Sequence, residues 1–267
     1  MIAVLVPILS SRSTPGVSVT KKRSEDSVRL FLQTRHIEVF PDALDAASPR
    51  PSEDAPQADK KNYAERFSKA LSVLIANQLR TTFPPILPLP DGTRQESRAP
   101  TGKGKKKLDV NYSTQELGLA LGVSIKTLNF RDAASGRYTK NATRIDNELR
   151  AEASDYHERQ PFAVMAGIVF VPIDSCDDGK KGKSSFAQIV EVLRHRANRE
   201  TPKNREELFE RIYIGLYDFG GDPARVMFFD VGQLAPPAGR PGNNVSLDLE
   251  TMLRQIVALY KNRNKML

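Results

Sequence analysis

The 267-residue sequence contains one cysteine, three histidines and no tryptophan. A single cysteine, Cys176, excludes an internal disulfide bond, and with so few histidines it excludes a Cys/His zinc site. No histidine has a visible nucleophile partner, so neither Ser/His nor Cys/His catalysis is indicated. This low cysteine content is typical of the reducing cytoplasm, where we expect the protein to act.

Long hydrophobic runs are also missing. No stretch approaches the ~18 uncharged apolar residues that a membrane helix requires, so we expect a soluble protein. Residues 1–9 are apolar, but the first basic side chain, Arg12, follows them, whereas a signal peptide has basic residues first. The sequence predicts a buried strand for residues 1–9.

The hydrophobic content of 39% excludes wholesale disorder and allows a sizeable core. Residues 41–59 contain four prolines, five acidic residues and only one long apolar side chain, Leu44, which is typical of a solvated connector. We therefore expect residues 1–59 to be an N-terminal appendage with an acidic, proline-rich connector. Residues 60–267 are expected to form one α/β domain.

Hydrophobic periodicity within residues 60–267 predicts an alternation of helices and strands. Helices are expected over residues 60–80, 143–158, 185–196 and 246–261, strands over residues 108–113, 117–128, 162–171, 212–219 and 226–231, and a long proline-rich loop over residues 81–107. This order predicts an α/β (α+β) fold with a mixed central β-sheet flanked by helices.

Basic residues exceed acidic residues by 40 to 32, which gives a net charge of +8 and indicates a polyanionic partner. Residues 98–107 carry five basic side chains and no acidic one, and a second basic segment follows at residues 129–144. Either segment is a nucleic-acid contact or simply solvated surface, and the second is alternatively a loop that stabilises a neighbouring subunit. The candidate nucleic-acid contacts are Lys103, Lys105, Lys106, Lys107, Arg131, Arg137, Lys140 and Arg144.

The predicted strand at residues 117–128 alternates large apolar residues with Gly, Ala, Gly, Ser and Lys. Alternate residues of a strand face opposite sides, so the small face ends in Ser124 and Lys126. This face either admits a substrate backbone or lets a helix pack closely. A hairpin turn centred on residues 116–117 would set Asp109 opposite Ser124.

Asp109 and the Ser124-x-Lys126 pattern resemble the PD-(D/E)XK nuclease superfamily, which includes many type II restriction endonucleases. The resemblance covers roughly residues 60–172. It implies a restriction-endonuclease-like core in which Asp109 matches the first acid and Lys126 the lysine. Leu108 replaces the family's proline, and Ser124 replaces its second acid.

Some restriction enzymes of this family carry Ser-x-Lys and place the missing carboxylate on the following helix. Glu148 and Glu152, four residues apart, share a helix face here, beside a buried face of Leu149, Ala153 and Tyr156. The resemblance implies Mg²⁺ ligation by Asp109, Glu148 and Glu152, with Glu148 preferred over Glu152. Glu65 would be a second-metal or outer acid.

The resulting expectation is a Mg²⁺-dependent DNA endonuclease that acts in restriction or anti-phage defence. The family resemblance suggests that it acts as a homodimer. Partner proteins from a defence system are a further expectation. The first alternative is a non-catalytic nucleic-acid-binding subunit on the same scaffold, which the replacement of the acid by Ser124 favours. The second is a basic scaffold or RNA-binding protein, for which Asp109 and Lys126 would not meet.

Overall fold

The computed structural model describes residues 36–264, except for residues 96, 102–103 and 180–181. The expected strand at residues 1–9 lies outside this range. The helices are α1 (Phe40–Ala47), α2 (Gln57–Leu79), α3 (Ala142–His157), α4 (Ser185–Arg194) and α5 (Leu249–Asn264). The strands are β1 (Ser97–Thr101), β2 (Gly104–Leu108), β3 (Val110–Thr114), β4 (Gly118–Thr127), β5 (Val164–Pro172), β6 (Arg211–Asp218), β7 (Arg225–Asp230) and β8 (Ser246–Leu247).

Six of the described strands form one mixed sheet in the order β3-β4-β5-β6-β7-β8. Strands β4, β5 and β6 are parallel, whereas β3 pairs antiparallel with β4, and β7 pairs antiparallel with both β6 and β8. Helix α3 connects the parallel neighbours β4 and β5. The predicted α/β class with a mixed sheet flanked by helices is confirmed.

The sheet separates two hydrophobic clusters. Helices α1, α2 and α5 cover one face, and helices α3 and α4 cover the other. Strand β4 shows why the sequence folds this way, because Leu121, Val123 and Ile125 all join the α2 cluster. The side chains between them therefore face α3, which places Ser124 under that helix.

The solvated-connector interpretation of residues 41–59 is wrong for residues 41–47. They belong to helix α1, which buries Phe40, Ala43, Ala46 and Ala47. Pro41 suits the first turn of a helix, where its missing N–H is not needed. The alanines make the segment look weakly hydrophobic, yet their small size lets α1 pack closely against the larger domain.

The expected long loop at residues 81–107 is wrong in its second half. Strands β1 and β2 form an antiparallel hairpin there. Its inner face buries Ala99, Thr101 and Leu108, whereas Arg98 and Lys107 are exposed on the outer face. A two-residue alternation was present, but prolines and the dense run of lysines obscured it.

A buried ionic cluster ties α5 to the sheet. The Glu210 carboxylate, which precedes β6, lies 3.0 Å from Nη1 of Arg199 and 2.9 Å from Nη2 of Arg263. The same carboxylate accepts a 2.7 Å hydrogen bond from the N–H of Met165. All three charged side chains are buried, so α5 is fastened to the starting end of the parallel strands.

None of the described helices combines the length and the apolar character needed to cross a membrane.

Candidate active site

Asp109 immediately precedes β3, and its position is fixed by the β3–β4 register. Val110 pairs with Val123 and Asn111 with Gly122, so one further step sets Asp109 opposite Ser124, as predicted. A bulge between Tyr112 and Ser113 then shifts the register before the turn. The Asp109 carboxylate accepts a 2.7 Å hydrogen bond from the N–H of Ile125, between Ser124 and Lys126.

Glu152 of α3 brings the small face of β4 and the helix together. Its Oε2 accepts a 2.5 Å hydrogen bond from Oγ of Ser124. Its Oε1 accepts a 2.6 Å hydrogen bond from Nζ of Lys126. Since Ser124 is only 1% exposed, the Glu152 carboxylate meets its hydroxyl inside the protein. A carboxylate supplied by the helix thus stands beside the strand lysine.

Glu148 lies one helical turn from Glu152 and is held less closely. Its Oε2 is 3.8 Å from Nζ of Lys126, and its Oε1 accepts a 2.7 Å hydrogen bond from Arg144. Of the two glutamates, Glu152 therefore has the closer contacts with the residues of β4, whereas the preference expected from the sequence was for Glu148. Glu152 accepts hydrogen bonds from both Ser124 and Lys126, whereas Glu148 faces partly outward towards Arg144.

The charge state of Lys126 follows from its neighbours. Burial lowers the pKa of the Lys126 ammonium, but attraction and hydrogen bonding by Glu152, followed by the charges of Asp109 and Glu148, outweigh burial and raise it above its ordinary value. Lys126 is therefore a cation at neutral pH. In this state it is suited to stabilising negative charge and not to removing a proton.

Asp109 also faces a polar cavity of about 130 Å³ that it shares with helix α2. The other lining residues are Glu65, Ser68, Lys69, Ser72 and Gln95. Glu65 forms a 3.0 Å ion pair with Lys69, one turn along α2. The structure thus brings Glu65 to the same cavity as Asp109, while Glu152 approaches from α3.

The donor chemistry of Asp109 and Glu152 fits a hard divalent cation. Among the described residues, no group of three or more His, Cys, Asp or Glu side chains is arranged as a metal site. Mg²⁺ does not require such a group, because it keeps several waters and is commonly held by one or two carboxylates together with substrate phosphates. Both carboxylates act electrostatically on the same lysine, Lys126.

The candidate nucleic-acid contacts on the β1–β2 hairpin lie on its two opposite faces. Lys106 turns inward and forms an ion pair with the buried carboxylate of Asp155. Lys107 is exposed and lies directly opposite Arg98, so the outer face presents two adjacent positive charges. Lys103 and the side chain of Lys105 lie outside the described parts of the chain.

The basic residues of the loop after β4 each have an acidic neighbour within the chain. The ion pairs are Arg131–Asp174 at 2.5 Å, Arg137–Asp178 at 3.8 Å, Lys140–Asp132 at 2.6 Å and Arg144–Glu148 at 2.7 Å. Arg131 also lies over the ring of Tyr138. These contacts give the loop a stabilising role, and its predicted contact with nucleic acid would have to compete with them.

The glycines of β4 support close packing and not substrate access. A Cβ at Gly122 would lie 2.7 Å from Sδ of Met165 and 3.0 Å from Cδ1 of Leu108. Ala120 is buried as well. The small face is therefore filled by neighbouring side chains up to Ser124, and only its Lys126 end approaches the surface.

Tyr156 is a polar residue of this region that the sequence indicated only as part of the buried face of α3. Its burial is confirmed, but its hydroxyl has no hydrogen-bond partner among the described residues. The four-residue spacing Glu148, Glu152, Tyr156 was the available signal.

Comparisons with protein-family models, curated proteins and solved structures found no match.

Proposed function

We propose that the protein is a Mg²⁺-dependent phosphodiesterase that cleaves DNA, with the restriction-endonuclease-like site Asp109, Ser124, Lys126 and Glu152. The observation that carries this proposal is the convergence of Ser124 and Lys126 on Glu152, across 28 and 26 residues of sequence. A strand lysine and a helix carboxylate meet beside an aspartate that immediately precedes the neighbouring strand. This is the arrangement implied by the Ser-x-Lys variant of the family.

Each residue of the proposed site is assigned a role in phosphodiester hydrolysis. Asp109 and Glu152 would hold Mg²⁺, while Ser124 orients the Glu152 carboxylate. The Lys126 ammonium stabilises negative charge that develops on the phosphate. When bound, Mg²⁺ would lower the pKa of a coordinated water and screen the phosphate charge. Glu148 is assigned an outer position because it lies 3.8 Å from Lys126 and pairs with Arg144, and Glu65 because it lies on α2 and pairs with Lys69.

The DNA partner is proposed from charge. The net charge of +8 favours a polyanion, and Arg98 and Lys107 place two adjacent cations on the outer face of the hairpin. Like charges directly opposite on two strands repel each other, and a bound phosphate would relieve that repulsion. Action in the cytoplasm is proposed from the single cysteine, and a homodimer and a role in restriction or anti-phage defence are proposed from the family resemblance.

The deciding experiment is cleavage of plasmid and phage DNA by the purified protein with Mg²⁺, with Mn²⁺ and with EDTA. We expect metal-dependent cutting that is lost in Lys126→Ala. Lys183→Ala is the matched control, because Lys183 also pairs with a glutamate, Glu191 of α4, but lines neither the site nor the cavity beside Asp109. Folded wild-type protein that leaves modified and unmodified DNA intact would contradict the proposal.

The second candidate is a non-catalytic nucleic-acid-binding subunit on the same scaffold. It is favoured by the engagement of both Glu152 oxygens by Ser124 and Lys126, which an ionic network with a purely structural role would also produce. This candidate predicts DNA binding that does not depend on a divalent cation. Binding measured with Mg²⁺ and with EDTA therefore separates the two functions.

A further inference from the structure

The hydroxyl of Tyr156 differs from those of other fully buried tyrosines in the sheet region. The Tyr213 hydroxyl donates to Gln255 at 3.0 Å, and the Tyr217 hydroxyl donates to Asn129 at 2.9 Å. Tyr156 is 0% exposed, yet its hydroxyl has no hydrogen-bond partner within the described part of the chain. Buried hydroxyls normally form a hydrogen bond, so the lack of one at Tyr156 requires an explanation.

The location of Tyr156 relates its hydroxyl to the proposed cation site. Tyr156 follows Glu152 by four residues in α3, so both side chains project from the same face of the helix. Burial, and then the negative charges of Glu152 and Asp109, raise the pKa of the phenol well above its ordinary value. The hydroxyl therefore remains protonated and is available as a donor near two carboxylates.

Neither carboxylate is the missing partner. Glu152 accepts hydrogen bonds from Ser124 and Lys126, and Asp109 accepts one from the N–H of Ile125. The Tyr156 hydroxyl lies in the electrostatic field of both carboxylates without bonding to either. A hydrated cation held by the two carboxylates would bring a water oxygen, which is the type of acceptor that this donor lacks.

We infer that Tyr156 is a positioning residue whose hydroxyl donates a hydrogen bond to a water ligand of the divalent cation held by Asp109 and Glu152. The inference rests on the proposed function and adds a residue to its site. It assigns the buried phenol to orienting the cation's hydration shell. Removing the hydroxyl should lower the affinity for the cation without removing either carboxylate ligand.

The test is Mn²⁺ binding to the full chain without DNA, measured by isothermal titration calorimetry for wild type and Tyr156→Phe. We expect the Mn²⁺ Kd to rise about tenfold in the variant, as is usual when a hydrogen-bond partner of a metal site is lost. The metal-free Tm should not fall, because the hydroxyl has no protein partner to lose. Tyr217→Phe is the control and should lower the metal-free Tm while leaving the Mn²⁺ Kd unchanged.

An unchanged Mn²⁺ Kd in Tyr156→Phe, together with weaker binding in Glu152→Gln, would overturn the inference and leave the proposed function standing. A wild-type protein that binds no Mn²⁺ would overturn the proposed cation site and, with it, the role of Tyr156. Weaker Mn²⁺ binding in Tyr156→Phe with an unchanged metal-free Tm supports the inference, since a merely structural residue would alter stability instead.

Discussion

The carboxylate of Asp109 accepts a 2.7 Å hydrogen bond from the backbone N–H of Ile125. Ile125 lies between Ser124 and Lys126, and its own side chain belongs to the core on the opposite face of β4. The bond therefore fixes the aspartate to the strand that carries the lysine. Substitutions around this pair give separate predictions for chemistry, stability and DNA binding.

The first prediction separates the two glutamates of α3. Glu152→Gln should reduce DNA cleavage by about 10²- to 10³-fold, because it removes a charge that touches Ser124 and Lys126. Glu148→Gln should cost less than about tenfold, since Glu148 lies 3.8 Å from Lys126. Initial rates of plasmid nicking at saturating Mg²⁺ measure both effects. Equal losses would contradict the assignment of Glu152 as the principal helix carboxylate.

The second prediction concerns Ser124. Ser124→Ala should lower the free energy of unfolding by about 1.5–3 kcal/mol, because it removes a buried hydrogen bond to a carboxylate. Ser72→Ala is the matched control, since the Ser72 hydroxyl bonds only to the carbonyl of Ser68 one turn earlier in α2. That substitution should change stability by less than about 0.5 kcal/mol. Urea denaturation monitored by circular dichroism compares them, and equal effects would argue against a special role for Ser124.

The third prediction tests the two faces of the hairpin. Arg98→Ala and Lys107→Ala should each reduce the slope of log K against log[salt] for duplex DNA by about 0.9, the value for one phosphate contact. Lys106→Ala should leave that slope unchanged and lower stability, because Lys106 pairs with the buried Asp155. Fluorescence anisotropy at several salt concentrations measures the slopes. A larger change for Lys106 than for Lys107 would contradict the assigned orientation.

The fourth prediction concerns the pH dependence of stability. Burial raises the pKa of Glu210, but the neighbouring His157 ring, the hydrogen bond from the N–H of Met165 and the charge of Arg263 outweigh burial, so the net pKa lies below its ordinary 4.5. The ionised form therefore stabilises the fold above pH 4.5, and this contribution is lost as the pH falls through the depressed pKa.

Glu210→Gln should consequently cost about 3–5 kcal/mol of unfolding free energy at pH 7, because it leaves Arg199 and Arg263 buried without their carboxylate. The difference from wild type should shrink below pH 4.5. Denaturation at pH 7, 5 and 4 checks this sign. A difference that grows on acidification would show that Glu210 is not held in its ionised form.

The sequence predicted the parts of the site that depend on local geometry. The alternation in β4 predicted its two faces, but the turn is centred on Glu116, since Thr114 pairs with Gly118. The bulge between Tyr112 and Ser113, which the sequence did not indicate, is what restores the register that sets Asp109 opposite Ser124. The choice between Glu148 and Glu152 could not be made from spacing. Both residues share one helix face, and only the height of α3 above β4 decides which of them reaches Lys126.

Helix α1 and the β1–β2 hairpin were missed because their sequences are unusual for their environment. Helix α1 relies on alanines for its buried face, so hydrophobicity alone did not identify it. Strands β1 and β2 carry lysines and a proline, which are uncommon in strands. Pairing within the hairpin and burial of Ala99 and Leu108 outweigh these local preferences.

The tie between Arg263 and Glu210 has a consequence for how the chain reaches its native state during synthesis. Glu210 stands at the start of β6, but one of its cationic partners comes from α5, more than fifty residues later. A ribosome must therefore complete and release residue 263 before this carboxylate acquires its full set of partners. Until then, a nascent chain leaves the part of the sheet face that α5 covers exposed to chaperones and to other emerging chains.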